Sequence, residues 1–216
     1  IQLAEVPPSL RERYVGKNGK WLLRVFGKES LWEFPALAGF VEQVRSVDPD
    51  ATGKPMTTLE GLRALQNGFG LAGIYAFLAM FLVLLLDFGK LRYTLLALSP
   101  LIAGLIATLG VMALAGVPLN PANVIAFPLI LGVGADNGVH VVHDYRARQR
   151  GKRYRLSRAT GRGILVAALT TILGFGTLSL AAHRGLASLG LALALGVACC
   201  MLTALVLLPA FLSQGK

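Results

Sequence analysis

From residue 64 onward the hydrophobic positions run together in long blocks, with no two-residue or heptad alternation to suggest a soluble fold. Residues 64–86 carry no charge and stop at Asp87, and residues 93–135 carry none either. A bilayer core takes about 20 apolar residues per helix, so the second block holds more than one span. It breaks at Gly116-Val-Pro-Leu-Asn-Pro121. The pattern predicts five membrane helices near 64–86, 93–115, 122–142, 163–182 and 186–208, the last closed by Pro209. Phe69, Phe77, Phe81 and Phe88 lie in or just after the first span, where packing against lipid is the expectation.

The first sixty residues read differently. Asn18-Gly19 between Tyr14–Lys17 and Lys20–Phe26 is a hairpin signal, because Gly supplies the positive φ of a type I′ turn. Leu37, Val41, Val44 and Val47, with Phe40 beside them, recur at helical spacing and predict an amphipathic helix over 35–47, ended by Asp48-Pro49-Asp50. Thr57 followed by Glu60 has the form of a capping box, which puts the start of the first membrane helix near Thr58. About thirty residues at 1.5 Å each make that helix roughly 45 Å long, a rigid link between outer domain and membrane. The predicted fold class is therefore a membrane all-α helical bundle of five transmembrane helices (57–216) with a small N-terminal α/β remnant of a periplasmic domain (1–56).

Composition supports the membrane class: 55% of the 216 residues are hydrophobic and 15% charged, where a soluble domain carries about 25% charged. Disordered, collagen-like and disulfide-stapled classes are excluded, since the two Cys, Cys199 and Cys200, are adjacent within an apolar run. Ile1 opens inside a polar segment with no initiator Met or leader, so the sequence reads as a portion of a longer chain. Residues 64–216 hold twelve Lys/Arg and three Asp/Glu. Eight of those basic residues lie in 143–162, against the single acid Asp144. Basic short loops stay on the cytoplasmic side, which places 143–162, Lys90, Arg92 and Lys216 inside and the turns at 116–121 and 183–185 outside. The N-terminal segment is then periplasmic in a double-membrane bacterium. The basic loop reads as a topogenic signal resting on the leaflet, with no nucleic-acid partner; Arg148, Lys152 and Arg155 suggest a short helix along that surface.

The residue with chemistry is Asp136, inside the third span. A carboxylate there costs about 2.5–3.5 kcal/mol on insertion scales, so it is expected to face a bundle interior or a wet cavity. Gly132, Asp136, His140 and His143 fall on one helical stripe, with Asn137 at its edge. The glycines would let a neighbouring helix approach closely. A low dielectric favours the neutral form of a carboxyl, the condition for a group that takes up and releases protons. A proton relay and a protonated Asp serving as interhelical glue both fit. Thr170 and Thr171, in the fourth span, are hydroxyls that either bond across to Asp136 or bond back to their own helix. Asp136, His140 and His143 lack the further ligands of a metal site. No nucleophile elbow, phosphate-binding glycine loop or Cys-x-x-Cys occurs, so neither an enzyme nor a cofactor is indicated.

Gly132-Val-Gly-Ala-Asp136-Asn137-Gly-Val-His140 resembles the glycine-acid motif in the fourth helix of each repeat of the resistance–nodulation–division (RND) superfamily. Ala159-Thr-Gly161, Thr170-Thr171-Ile-Leu-Gly174-Phe175-Gly176, Leu189-Gly190 and Leu207-Leu208-Pro209-Ala210 resemble the stretch C-terminal to that motif in the MMPL-type lipid-exporter branch. Residues 136–146, with Val47-Asp-Pro49 and Thr52-Gly53, are similar to the hopanoid-exporting members. The resemblance implies two six-helix repeats, each with a periplasmic domain. The chain would then be the end of the second periplasmic domain plus helices eight to twelve, its partners being the first repeat and seventh helix of the same chain, membrane lipids, a hopanoid-like lipid substrate and a second copy in a homodimer. It also implies a polar relay at Asp136 and Asn137 with Thr170 and Thr171 as partners, driven by proton motive force at the inner membrane. Two alternatives are an accessory subunit of protein translocation and a sterol-sensing-type regulator.

The orientation predicts that cysteines placed at Asn18 and at Lys152, with Cys199 and Cys200 replaced, differ in accessibility to an impermeant thiol reagent applied to cells with a permeabilised outer membrane. Asn18 should label and Lys152 should not; labelling of both would overturn the orientation.

Overall fold

The computed structural model of the chain describes Pro7 and residues 13–31, 33–148 and 154–214. Residues up to Arg63 form one compact unit and residues from Ala64 a second.

In the first unit the hairpin turn forms, with Gly19 at φ 74° and Gly16 N donating to Lys20 O at 2.8 Å. It goes no further than one antiparallel bridge, Val15 to Trp21, and the described residues contain no strand. The expected α/β remnant is therefore corrected to a helical unit with a lone turn. Trp21, Leu22, Leu23, Val25 and Phe26 are all exposed, and a two-stranded ribbon without a third strand or a helix over its apolar face is marginal. The amphipathic helix α1 (Phe34–Val47) forms as its spacing predicts and buries Leu37 and Val41 against Met56 and Leu59 at the start of α2 (Lys54–Phe88). Arg45 pairs with Glu60 between the same two helices. Thr57 is not a cap: α2 already begins at Lys54-Pro55, and the Thr57 hydroxyl donates back to Lys54 O at 3.1 Å. Pro in a first helical turn gives up a backbone donor that has no partner there, which explains the earlier start.

Among the described residues five helices are long and apolar enough to cross a membrane: α2, α3 (Leu91–Leu114), a broken helix over Pro121–Ala147, a helix over Arg158–Leu180 and one over Arg184–Ser213. The third comprises α4 (Pro121–Val124), a turn at Ile125 and α5 (Ala126–Ala147). The fourth is α6 (Arg158–Gly176) with a 3₁₀ turn, Thr177–Leu180, and the fifth is α7 (Arg184–Leu202), a π turn (Thr203–Leu207) and α8 (Leu208–Gln214). The break before α4 is stapled by amides. Asn120 accepts from the backbone of Ala122 and Asn123 at 3.0 Å each, and Asn123, fully buried, returns its carbonyl to Asn120 N at 2.8 Å. Both side chains reach Ser188 on α7, at 2.9 and 3.0 Å.

The core is a triangle of α3, α5 and α7, with α6 lying mainly on α7. Apolar side chains gain nothing by leaving lipid for protein, so close backbone approach must hold such helices together. A Cβ added at Gly138 of α5 would fall on the Ala97 carbonyl oxygen of α3, and one at Gly104 of α3 would lie 2.6 Å from Cys200 Sγ. Gly134 meets the same Cys200. Pro100 leaves the Leu96 carbonyl of α3 without its helical donor, and the Ser99 hydroxyl takes it at 2.8 Å. Thr203, at the π turn, donates to Pro100 O at 2.7 Å. Phe88 is buried in this core and Phe77 and Phe81 pack on it, which corrects the lipid-facing expectation for those three. Their helix ends beside the triangle, where the Thr94 hydroxyl donates to Leu84 O at 3.3 Å.

Gly138→Ala should lower the unfolding free energy in detergent by about 1–3 kcal/mol relative to Gly132→Ala, because only the former drives a methyl into a filled contact. Gly132 has open space where its Cβ would stand, and both changes share the same helix-propensity gain. Equal stability of the two variants would refute the packing.

Candidate functional site

Close contact at Gly134 and Gly138 fixes the rotation of α5 about its axis, and with it the direction of everything else on that helix. Gly132, Asp136, His140 and His143 form the stripe left uncovered in this chain, all four exposed. Asp136 has no side-chain hydrogen bond among the described residues, so no hydroxyl from another helix bonds it here. A Cβ added at Gly132 would likewise meet nothing within 4 Å, whereas at Gly134 and Gly138, on the opposite face, it would strike a neighbouring helix. Asn137 turns inward, 6% exposed, and its Nδ2 has no partner. An unpaired buried amide costs about 1–3 kcal/mol.

Thr170 and Thr171 do not meet Asp136. Both hydroxyls donate to Ala167 O, at 2.8 and 2.9 Å, so the back-bonded alternative is the one the fold adopts. The two threonines line an open depression of about 410 Å³ on α6 with Gly174, Phe175 and Leu178. Asp136, Asn137 and His140 thus stand together on one helix, while the threonine pair is separate from them.

At the end of the stripe His143 Nε2 lies 2.8 Å from Asp87 Oδ2 at the end of α2. The imidazole is steadied by the Phe88 ring, 4.9 Å between centroids. Arg146 sits over Phe88 and Tyr93, at 5.6 and 5.1 Å from the ring centres.

Asp144 is the acid that sequence reasoning passed over. It accepts from the Tyr154 hydroxyl at 2.9 Å, from Ser157 N and Arg148 Nε at 3.2 Å each, and from the Thr160 hydroxyl at 3.2 Å. Ser157 in turn caps α6 by accepting from Thr160 N at 3.0 Å. This single carboxylate therefore ties the end of α5 to Tyr154, Ser157 and Thr160 at the start of α6. Burial pushes the Tyr154 phenol well above its usual range, and the Asp144 carboxylate at its hydroxyl pushes the same way. The usable signal was an unmatched acid among cations, with a Ser-x-x-Thr helix start after it. The expected surface helix through Arg148, Lys152 and Arg155 falls partly outside the described residues. Arg148 is extended at the end of α5 and Arg155 is not helical. Among the described residues no three His, Cys, Asp or Glu side chains cluster as metal ligands would.

A model of the MMPL family matches residues 33–215. The chain belongs to the MMPL family. Within that family it is 31% identical over 215 residues to the hopanoid transporter HpnN of Burkholderia multivorans, covering 98% of this chain and 24% of that protein. It is 30% identical over 216 residues to the hopanoid transporter HpnN of Rhodopseudomonas palustris, covering all of this chain and again 24% of the relative. A putative membrane protein of Methanocaldococcus jannaschii, MJ1562, is 31% identical over 206 residues, 91% of this chain and 51% of its own length. The chain thus spans about a quarter of the length of the two hopanoid transporters it matches.

Asp144→Ala should leave Tyr154, Ser157 and Thr160 without their acceptor and cost about 1.5–3 kcal/mol, since hydrogen bonds to a charged group lie in that range. Trypsin should then cut between Arg148 and Arg158 faster than in the wild type, with Tyr154→Phe intermediate. An unchanged cleavage rate would show that Asp144 does not hold the segment.

Proposed function

We propose that this chain is the C-terminal part of a proton-motive-force-driven lipid exporter that moves hopanoids from the inner membrane toward the outer membrane. The observation that carries the reading is Asp136: an intramembrane carboxyl, unpaired among the described residues, on an uncovered stripe of the helix whose other face is locked into the bundle. Family membership, and similarity along this chain to a quarter of the length of two hopanoid transporters, support the class of cargo.

In this reading the uncovered stripe of α5 faces the rest of the transporter. Asp136 takes up and releases the proton, Asn137 and His140 supply the neighbouring amide and imidazole, and Thr170 and Thr171 offer hydroxyls on the next helix. Protonation neutralises Asp136 and removes its attraction for cationic and hydrogen-bond-donating partners. The balance between two packings of the bundle then shifts by the difference in interaction free energy, which is the only lever a proton has. The N-terminal segment is periplasmic and the 143–162 segment cytoplasmic. A second copy, as a homodimer, and the first repeat are the protein partners.

Asp136→Asn in the full-length protein should abolish hopanoid transport driven by an imposed pH gradient in proteoliposomes, with expression and folding retained. Asn keeps the size and hydrogen-bonding capacity of the carboxyl and cannot change charge, so a structural role survives the exchange and a titrating role does not. His140→Ala should slow transport without abolishing it. Wild-type transport by the Asn variant would assign the proton to another part of the protein.

A further inference from the structure

The stripe that carries Asp136 ends on a partner side chain. Its last member meets a second carboxylate, contributed by another helix, where the uncharged run of α2 stops. Asp136, His140 and His143 stand on successive turns, and helical neighbours three or four apart have Cβ atoms roughly 5–6 Å from one another. A single water between each pair closes such a gap, and all three side chains are exposed along that face. His143 and Asp87 need no water, their Nε2 and Oδ2 atoms being 2.8 Å apart, and their side chains are 48% and 45% exposed. The end of the row is half-exposed and lies where the uncharged run 64–86 gives way to Asp87, Lys90 and Arg92, at the polar edge of the span.

Two of the surrounding charges are engaged elsewhere. The titratable and charged groups near His143 are Asp87 at the end of α2, Lys90 in the turn, Arg92 and Tyr93 at the start of α3, and on its own helix Asp136, His140, Asp144, Tyr145 and Arg146, with Arg148 at the helix end. Asp144 is occupied by Tyr154, Ser157, Thr160 and Arg148. Arg146 lies over the Phe88 and Tyr93 rings. Asp87 is the carboxylate that His143 meets, and Phe88 holds the imidazole in place for it.

We propose that His143 and Asp87 form the cytoplasm-side mouth of the proton path that serves Asp136. This rests on Asp136 being the titrating group of the transporter. The protonated Asp136 carboxyl gives its proton through water to the His140 imidazole and is left a carboxylate. His140 passes the proton through a second water to Nδ1 of His143, and His143 releases the proton on Nε2 to the Asp87 carboxylate. Asp87 gives it up to cytoplasmic water, so one proton leaves the stripe; Asp136 is left a carboxylate and His143 is left as its Nδ1–H tautomer, which a ring flip or tautomer exchange through water must reset before the next proton. A mere strap between α2 and α5 would need the hydrogen bond and not the titration.

The test uses the full-length transporter in vesicles of phosphatidylethanolamine and phosphatidylglycerol containing a hopanoid. Proton flux under an imposed gradient is read by a pH dye on the side facing the 143–162 segment. His143→Gln keeps an N–H donor for Asp87 but cannot relay a proton. It should slow proton flux by about tenfold or more, the lower end of what a positioned acid–base group contributes. It should also remove the dependence of the rate on the pH of that side, with the melting temperature in detergent unchanged. His143→Ala should recover flux when imidazole is added on the same side, and Asp87→Asn should show the same loss as His143→Gln. A wild-type rate and pH profile for His143→Gln, with Asp136→Asn inactive, would overturn this inference alone. Wild-type flux by Asp136→Asn would overturn the parent reading instead. If His143→Gln melts early, the imidazole rescue and the Asp87→Asn pH profile decide: the absence of both a rescue and a flattened profile would sink the proposal.

Discussion

Everything in the membrane unit depends on three helices coming close enough for backbone to touch backbone. α3, α5 and α7 do so because Gly104, Gly134 and Gly138 leave room for the Ala97 carbonyl and the Cys200 side chain. In lipid there is no water to expel between helices, so this contact, along with a few hydroxyls that mend broken backbone bonds, is what holds the bundle. A knob-into-hole contact of this kind is sensitive to rotation. It decides that Val141 and Val142 go inside and that Asp136 and His140 go out.

The same contact explains why the polar residues of α5 have such different fates within two turns. Asn137, one position after Asp136, is carried inward and left with an unpartnered Nδ2. Asp144, two turns on, is gathered into a network with the start of α6 and has an anchoring role. His143 reaches α2. One helix thus presents a packed face, an uncovered polar face and a tied end, and the division arises from its glycine spacing.

How much of this was legible depended on whether the deciding force is local. The five spans were, because an uninterrupted apolar run and its flanking charges suffice to define them, and α1 was, because Leu37 and Val41 fall at helical spacing. The helix start at Lys54 was missed by favouring a Thr-x-x-Glu signal over Pro55. The sheet expected around Asn18-Gly19 failed because a turn signal says nothing about whether a third strand is there to cover Trp21 and Phe26. The stripe on α5 could be drawn from spacing alone, but not which way it faces, since that is set by Ala97 and Cys200, more than thirty residues away on either side. The Asp144 network was out of reach for the same reason: its donors return from a loop whose path no periodicity describes.

The π turn in the last span corrects a drift. Cys200, Ala204, Leu208 and Leu212 are all buried, at 0%, 0%, 2% and 6% exposure, so the buried seam advances by four residues at each step. An α-helix turns about 100° per residue, so a four-residue repeat slides about 40° around the cylinder each time, and about 120° over three steps. Left alone, Leu212 would have wandered off the buried side. The wider turn at Thr203–Leu207 absorbs roughly one residue's worth of rotation and brings the seam back into line. The irregularity works as a phase correction: it houses one extra residue, so removing a single residue there would let the turn relax to ordinary α-helix with Leu208 and Leu212 still on the seam.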